Sequence, residues 1–201
     1  MAWSMCNEVR RAVALGLIRD EFSQLRIPLR FPEGLPNLAA LESIRITDPT
    51  AIVRQAAEGP ELVMRRWSWP GPNKKPVYNF RSEGRSFSNS DNAGRCLIPV
   101  DGFYEFTTPD DPKAKRKHKW MFTKAGEDFF CIAGIWRATA EVGEAFTMLT
   151  AEPGPDVAPY HSRQVAVLDR ADWSAWLDAS VPASDLLKPL PAGTLDVQQI
   201  C

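Results

Sequence analysis

Histidine is scarce in this chain: His118 and His161 are the only two among 201 residues. The four cysteines, Cys6, Cys96, Cys131 and Cys201, form no C-x-x-C pair. Zinc-ligand spacing is therefore missing, and no metal is expected. Scattered cysteines in a chain of this length also argue against a disulfide framework. No apolar run approaches the length that spans a membrane. The first residues lack a basic stretch followed by an apolar core, the mark of a secretory signal. No repeat and no low-complexity linker divides the chain. These absences predict a reduced, cytoplasmic protein of one domain over residues 1–201, with no membrane partner; a monomer and no cofactor are also expected.

Net charge is also nearly absent, at −1, with 44% hydrophobic and 24% charged residues. The total conceals an uneven distribution. Between residues 65 and 119 stand twelve basic residues and six acidic ones, a local surplus of six. Such a stretch is the electrostatic footprint of a polyanion partner. Residues 113–119 carry much of it and read as a solvated hairpin loop.

The stretch that organises the chain is residues 94–106, GRCLIPVDGFYEF. Cys96, Leu97 and Ile98 read as a buried strand, which Pro99 and Asp101-Gly102 turn or break. Beyond the turn Glu105 sits among Phe103, Tyr104 and Phe106. A carboxyl among aromatic rings loses hydration, its ionised form is disfavoured and its pKa rises, which suits proton transfer near neutral pH. The ordinary use of such a residue is an outward-facing strand Glu.

Apolar spacing within residues 9–25 predicts a helix, with Leu15, Ile18, Phe22 and Leu25 on one face. Pro28, Pro32 and Pro36 then exclude a long regular element. Residues 50–58, bracketed by Pro49 and Pro60, read as a short helix. Residues 62–70 read as one strand carrying Trp67 and Trp69. Apolar runs at 120–122, 129–136, 146–150 and 165–168 read as further strands. Their short connections predict a mostly antiparallel sheet or barrel. Residues 171–177 begin a helix with Trp173, Trp176 and Leu177 on one face. The tail, 189–201, reads as edge structure or as a partly loose segment.

Asn79, after the Trp-bearing strand, offers an amide that both donates and accepts, although turn asparagines are common. His161 directly precedes a strand, where loop residues often carry function. His118 lies in the basic run with nothing to position it. Cys6 with His161 and Asn79 has the residue types of a thiol hydrolase, but no local protease signature surrounds Cys6.

The wording around these residues resembles the SOS response-associated peptidase (SRAP) family of abasic-site processing proteins. The matching pieces are Met5-Cys6, Trp67-x-Trp69-Pro70, Asn79-x-Arg81-x-Glu83, the 95–105 block, Ala133-Gly134-Ile135-Trp136, Thr147-x-x-Thr150, His161-x-Arg163 and Trp176-Leu177. They run from near one end of the chain to the other, and the 95–105 block is the specific one. The resemblance implies a single α+β domain around a barrel-like, mostly antiparallel sheet with flanking helices. It implies binding of single-stranded DNA and covalent capture of abasic sites, with Cys6 as nucleophile and Asn79, Glu105 and His161 completing the site. In the family the counterpart of His161 assists imine formation and its reversal. Trp67 or Trp69 would stack on bases, Arg81, Arg85 and Arg163 would hold the backbone, and Phe106 would supply an aromatic surface where Trp is common.

Besides Phe106, the chain departs from the family pattern in three places. Asn7-Glu8 replaces the usual Gly-Arg after the cysteine, and Gln164-Val165 replaces Met-Pro. Residues 1–4 precede Met5-Cys6. A thiazolidine needs a free amine on Cys6, so residues 1–5 are a leader that is removed, or Met5 is the true start, or the crosslink is lost. Two other readings stand beside covalent capture. One is a thiol peptidase acting on its own leader; the other is a module that binds single-stranded or damaged DNA without chemistry.

Overall fold

The computed structural model describes residues 6–111, 113 and 116–201. The leader 1–5 and part of the basic run (Pro112, Ala114 and Lys115) lie outside the described residues. The chain opens as a strand, β1 (Glu8–Arg11), before helix α1 (Leu15–Gln24). The helical reading of 9–25 thus begins six residues early. β1 is hydrogen-bonded on both sides, and ladder pairing outweighs local helical spacing there. α1 buries Ile18 and Phe22 completely. The proline-bearing segment after it contains no helix and no named strand until β2 (Leu41–Arg45).

β3 (Pro49–Ala56) and β4 (Gly59–Trp67) form a hairpin. The short helix expected at 50–58 is therefore wrong. Thr50, Ile52 and Val53 are β-branched, β3 pairs with β4 on one edge and β8 on the other, and the consecutive residues Thr50, Ala51, Ile52 and Val53 are buried, which covers both faces there. The single strand expected at 62–70 is interrupted at Ser68, whose φ is 85° and whose N–H donates to Phe146 O at 2.8 Å. Short strands β5 (Trp69–Pro70), β6 (Pro76–Val77) and β7 (Asn79–Arg81) follow. Then come the long strands β8 (Ala93–Val100), β9 (Gly102–Thr107), β10 (His118–Lys124), β11 (Phe130–Thr139) and β12 (Gly143–Ala151). The chain ends with β13 (Gln164–Val165), β14 (Val167–Leu168), helices α2 (Trp173–Asp178) and α3 (Ala183–Leu186), and β15 (Leu195–Gln199). The tail thus supplies an edge strand.

Two sheets hold the fold. One runs β15-β10-β9-β1-β2. The other runs β13-β12-β4-β3-β8-β11-β14 and closes on itself, because β11 also pairs β12. Apart from β12 against β4 and β7, pairing is antiparallel. This is the α+β, barrel-like architecture that the resemblance implies. Closure brings β11 so near β8 and β12 that a Cβ on Gly134 would meet Ile98 Cδ1 at 2.4 Å and Thr147 O at 2.8 Å. One apolar cluster fills the space between the sheets, from Cys6, Val9 and Phe103 to Trp67, Ile98, Phe130 and Phe146. A second lies under the helices, where Phe22 and Trp173 approach to 4.8 Å.

Trp67 belongs to the first cluster. It is fully buried, parallel to Phe146 at 6.4 Å, and its indole N–H donates to Tyr78 O at 2.8 Å. Trp69 is also buried, with the Arg137 guanidinium 5.0 Å from its ring. Neither ring presents a face to a base, so the expectation that they stack on DNA is corrected. Trp67→Ala is accordingly expected to lower unfolding free energy by about 3–5 kcal/mol, measured by denaturant titration, as for any large core ring.

Candidate active site

Cys6 lies just before β1 and is 1% exposed. Its backbone nitrogen donates to Glu105 Oε1 at 3.1 Å, although the two residues are 99 apart in sequence. The Asn79 amide on β7 donates to Cys6 O at 2.7 Å. Three of the four residues singled out as catalytic candidates are thus joined directly. The Cys6 thiol faces Glu8 O at 3.5 Å. Burial first, and the Glu105 charge second, push that thiol well above its ordinary pKa.

Strand alternation explains the position of Glu105. On β9 it points to the same side as Phe103, between the sheets, and its cross-strand partner on β10 is Trp120. It is 1% exposed. Burial lifts its carboxyl to about 8, and the Cys6 N–H holds it slightly down. Its second oxygen, Oε2, has no hydrogen-bond partner among the described residues. The same is true of Asn79 Oδ1, Thr147 Oγ1 and His161 Nε2, all buried. Native folds leave few buried polar atoms unsatisfied, and these four are free to meet a further partner, as are atoms elsewhere in the fold such as Ser68 Oγ and Trp173 Nε1.

His161 is also buried. Its Nδ1 accepts the Arg163 backbone N–H at 3.0 Å, which puts the proton of the neutral ring on Nε2. Arg163 O stands 3.1 Å from the same nitrogen. No hydrogen bond among the described residues joins His161 to Cys6 or Glu105. The link runs through rings instead: Trp120 lies 4.7 Å from Tyr160, the residue before His161. Tyr160 and Trp120 went unnoticed in the sequence because neither stands out from ordinary core aromatics.

The cations divide into two kinds. Arg163 forms an ion pair with Glu83, with Nη2 to Oε2 at 2.9 Å, and also donates to Thr150 O at 2.9 Å and Thr150 Oγ1 at 3.1 Å. Glu83 and Thr150, noticed in the sequence only as motif letters, are its holders. Arg95 is buried against Trp176 and donates to Phe87 O and Val181 O. Arg65 is tied to Glu33 and Glu144. Arg81 is exposed, with no ion pair among the described residues, and Arg85 lies over the Phe80 ring at 4.5 Å. Part of the local positive surplus is therefore spent inside the fold. Phe106 is half-buried at the mouth of a cleft beside Asn7 and Glu8.

A model of the family described as SOS response associated peptidase (SRAP) matches residues 5–201. The chain belongs to this family. A Bacillus subtilis (strain 168) protein named abasic site processing protein YoqW is 28% identical over 127 residues, covering 59% of this chain. A protein of the same name from Bacillus phage SPbeta gives the same values. The match spans 55% of the length of these curated relatives. Among solved structures, a Bordetella bronchiseptica protein superposes with a TM-score of 0.70 at 22% identity, covering 98% of this chain and all (100%) of that one. A Bacteroides thetaiotaomicron protein gives 0.72 at 16% identity, with 98% and 92% covered. Both share the fold. Among the described residues of this SRAP chain, no helix is long and apolar enough to cross a membrane. Among the described residues, no group of three or more His, Cys, Asp and Glu stands ready for a metal ion.

Proposed function

We propose that this SRAP protein binds single-stranded DNA and captures abasic sites covalently through Cys6. The observation that carries the reading is the Cys6 nitrogen held 3.1 Å from a buried carboxyl with a pKa of about 8. In a chain whose first residue is Cys6, that nitrogen is an amine. It attacks the aldehyde carbon of the ring-opened sugar, and the carbinolamine loses water to give an imine. The thiol then adds to the imine carbon and its proton passes to the nitrogen, closing a thiazolidine. One water is released overall. Glu105, protonated near neutral pH, gives its proton to the departing hydroxyl and takes it back from the amine. Asn79 fixes the Cys6 carbonyl and so the direction of the amine. His161, with Nε2 unpartnered, serves proton transfer at the imine.

A thiol-peptidase reading draws less support. The thiol is pushed up rather than down, and its contact is a carbonyl, not an imidazole. The name of the Bacillus relatives favours abasic DNA as substrate.

The test is denaturing electrophoresis of Cys6-first protein with abasic, intact single-stranded and duplex oligonucleotides. A heat-stable adduct with the abasic strand alone is expected. Binding to the intact strand without any adduct to the abasic one would leave a non-catalytic binding module. A second expectation separates the two kinds of arginine. Arg81→Ala weakens binding of undamaged strand without altering stability. Arg163→Ala lowers stability by about 1–2 kcal/mol, because Thr150 Oγ1 and Glu83 lose their donor. Parallel anisotropy and thermal-unfolding measurements check both.

A further inference from the structure

One cleft of the molecule lies outside the Cys6, Asn79 and Glu105 cluster, yet begins one residue from Cys6. Glu8 on β1 and Arg45 on β2 are cross-strand partners, as are Phe106 on β9 and Lys119 on β10. These four, with Asn7 and Lys117, line an open cleft of about 420 Å³. Its charges are not equivalent. Lys119 Nζ is 2.7 Å from Glu8 Oε1 and packs 3.9 Å from the centre of the Tyr104 ring. The Glu8 side chain is only 5% exposed. Glu8 therefore cancels Lys119 within the floor of the cleft. Arg45 and Lys117 are exposed at its rim, with no ion pair among the described residues. The half-buried Phe106 ring stands in the same cleft.

Two unpaired cations beside an aromatic ring match the two parts of a nucleotide, a phosphodiester and a base with a π-face. A strand whose abasic sugar is joined to Cys6 carries a phosphodiester on each side of that sugar. We propose that this cleft holds the nucleotide flanking the captured sugar, with its phosphodiester on Arg45 and Lys117 and its base on Phe106. Glu8 sets the strength of the cleft's grip, because it withholds Lys119 from the phosphodiester and keeps binding weak. The acid that stands where the family usually has a basic residue is thus a brake on binding and is shielded from the strand by its own cation. This inference rests on the DNA-capture reading.

The test is equilibrium binding of an undamaged oligothymidylate to the full chain, followed by fluorescence anisotropy over a series of salt concentrations. Each phosphate contact on a single strand contributes about 0.7 to the slope of log K against log salt. Arg45→Ala with Lys117→Ala is expected to flatten the slope by up to about 1.4 and weaken binding. Phe106→Ala should weaken binding with the slope unchanged, since stacking releases no counterion. Glu8→Gln should tighten binding and steepen the slope by about 0.7, as Lys119 is released. Adding Lys119→Gln to Glu8→Gln removes both charges and should restore the parent slope, whatever the single variant does to stability. An unchanged slope in the Arg45, Lys117 variant, with the parent still binding, would overturn the cleft and leave the capture reading standing. Weaker binding by well-folded Glu8→Gln would overturn the brake. If the parent binds no single strand at all, both readings fall together.

Discussion

Cys6→Ala, in protein whose first residue is position 6, is expected to abolish the heat-stable adduct with abasic single-stranded DNA. It should still yield a product that survives denaturation after treatment with borohydride. The amine and the thiol perform separate steps. The Ala amine keeps its place beside Glu105 and reaches the imine, but nothing closes the ring, so the imine hydrolyses when the protein unfolds. Burial of the thiol, which holds it protonated, does not oppose this order: addition to an imine delivers the thiol proton to the ring nitrogen. Protein retaining residues 1–5 has an acylated nitrogen at Cys6 and should give neither product while binding the strand. Mass analysis of the gel bands distinguishes thiazolidine from reduced imine. An unreduced stable adduct from the Ala variant would remove the thiol from the mechanism.

Glu105→Gln is expected to slow adduct formation by about 10²–10⁴, the usual contribution of a positioned acid–base group, with binding of intact strand nearly unchanged. Its pH signature should be as distinct. Burial raises the carboxyl to about 8, so the acid form is lost as pH passes that value and the parent rate should fall on the alkaline side. The Gln variant has no such limb. Stability carries the same mark. Between about pH 4.3, where an unfolded Glu titrates, and about 8, the folded chain holds a proton that the unfolded chain has released. The stabilisation is therefore complete below the unfolded value and declines as pH rises through the folded one. At about 1.4 kcal/mol per pH unit, the full decline is roughly 5 kcal/mol. Denaturant titrations at about pH 6 and about pH 9 take in the upper two units of that range and should show roughly 3 kcal/mol of it in the parent and none in Glu105→Gln. Equal decline in both would mean that another group is responsible.

The helix expected at 50–58 shows why some of the fold was hidden. Between two prolines, a short apolar piece satisfies either helix or strand. Only its two neighbours, β4 and β8, decide for the strand, and β8 lies some forty residues further along the chain. Trp67 is a parallel case. A tryptophan at the end of a strand reads equally well as core or as contact surface, and the turn at Ser68 seals it inside.

By itself, the sequence determined the features that depend on near neighbours. Its apolar runs are strands because such residues pack on both faces of a closed sheet. Its prolines keep the chain irregular before β2, and the aromatic setting of Glu105 is written in adjacent letters. The tertiary structure alone decided which partners each polar group meets. Glu105 reaches the Cys6 nitrogen across 99 residues, Arg163 is held by Glu83, and Lys119 by Glu8. These pairings follow from strand register and sheet closure, which are set by the packing of the whole core. A one-residue slip would turn each side chain to the other face of its sheet. Local spacing carries no record of that choice, so the meeting of Cys6, Asn79 and Glu105 was legible only through the family resemblance, and the pairings of Arg163 and Lys119 were not legible at all.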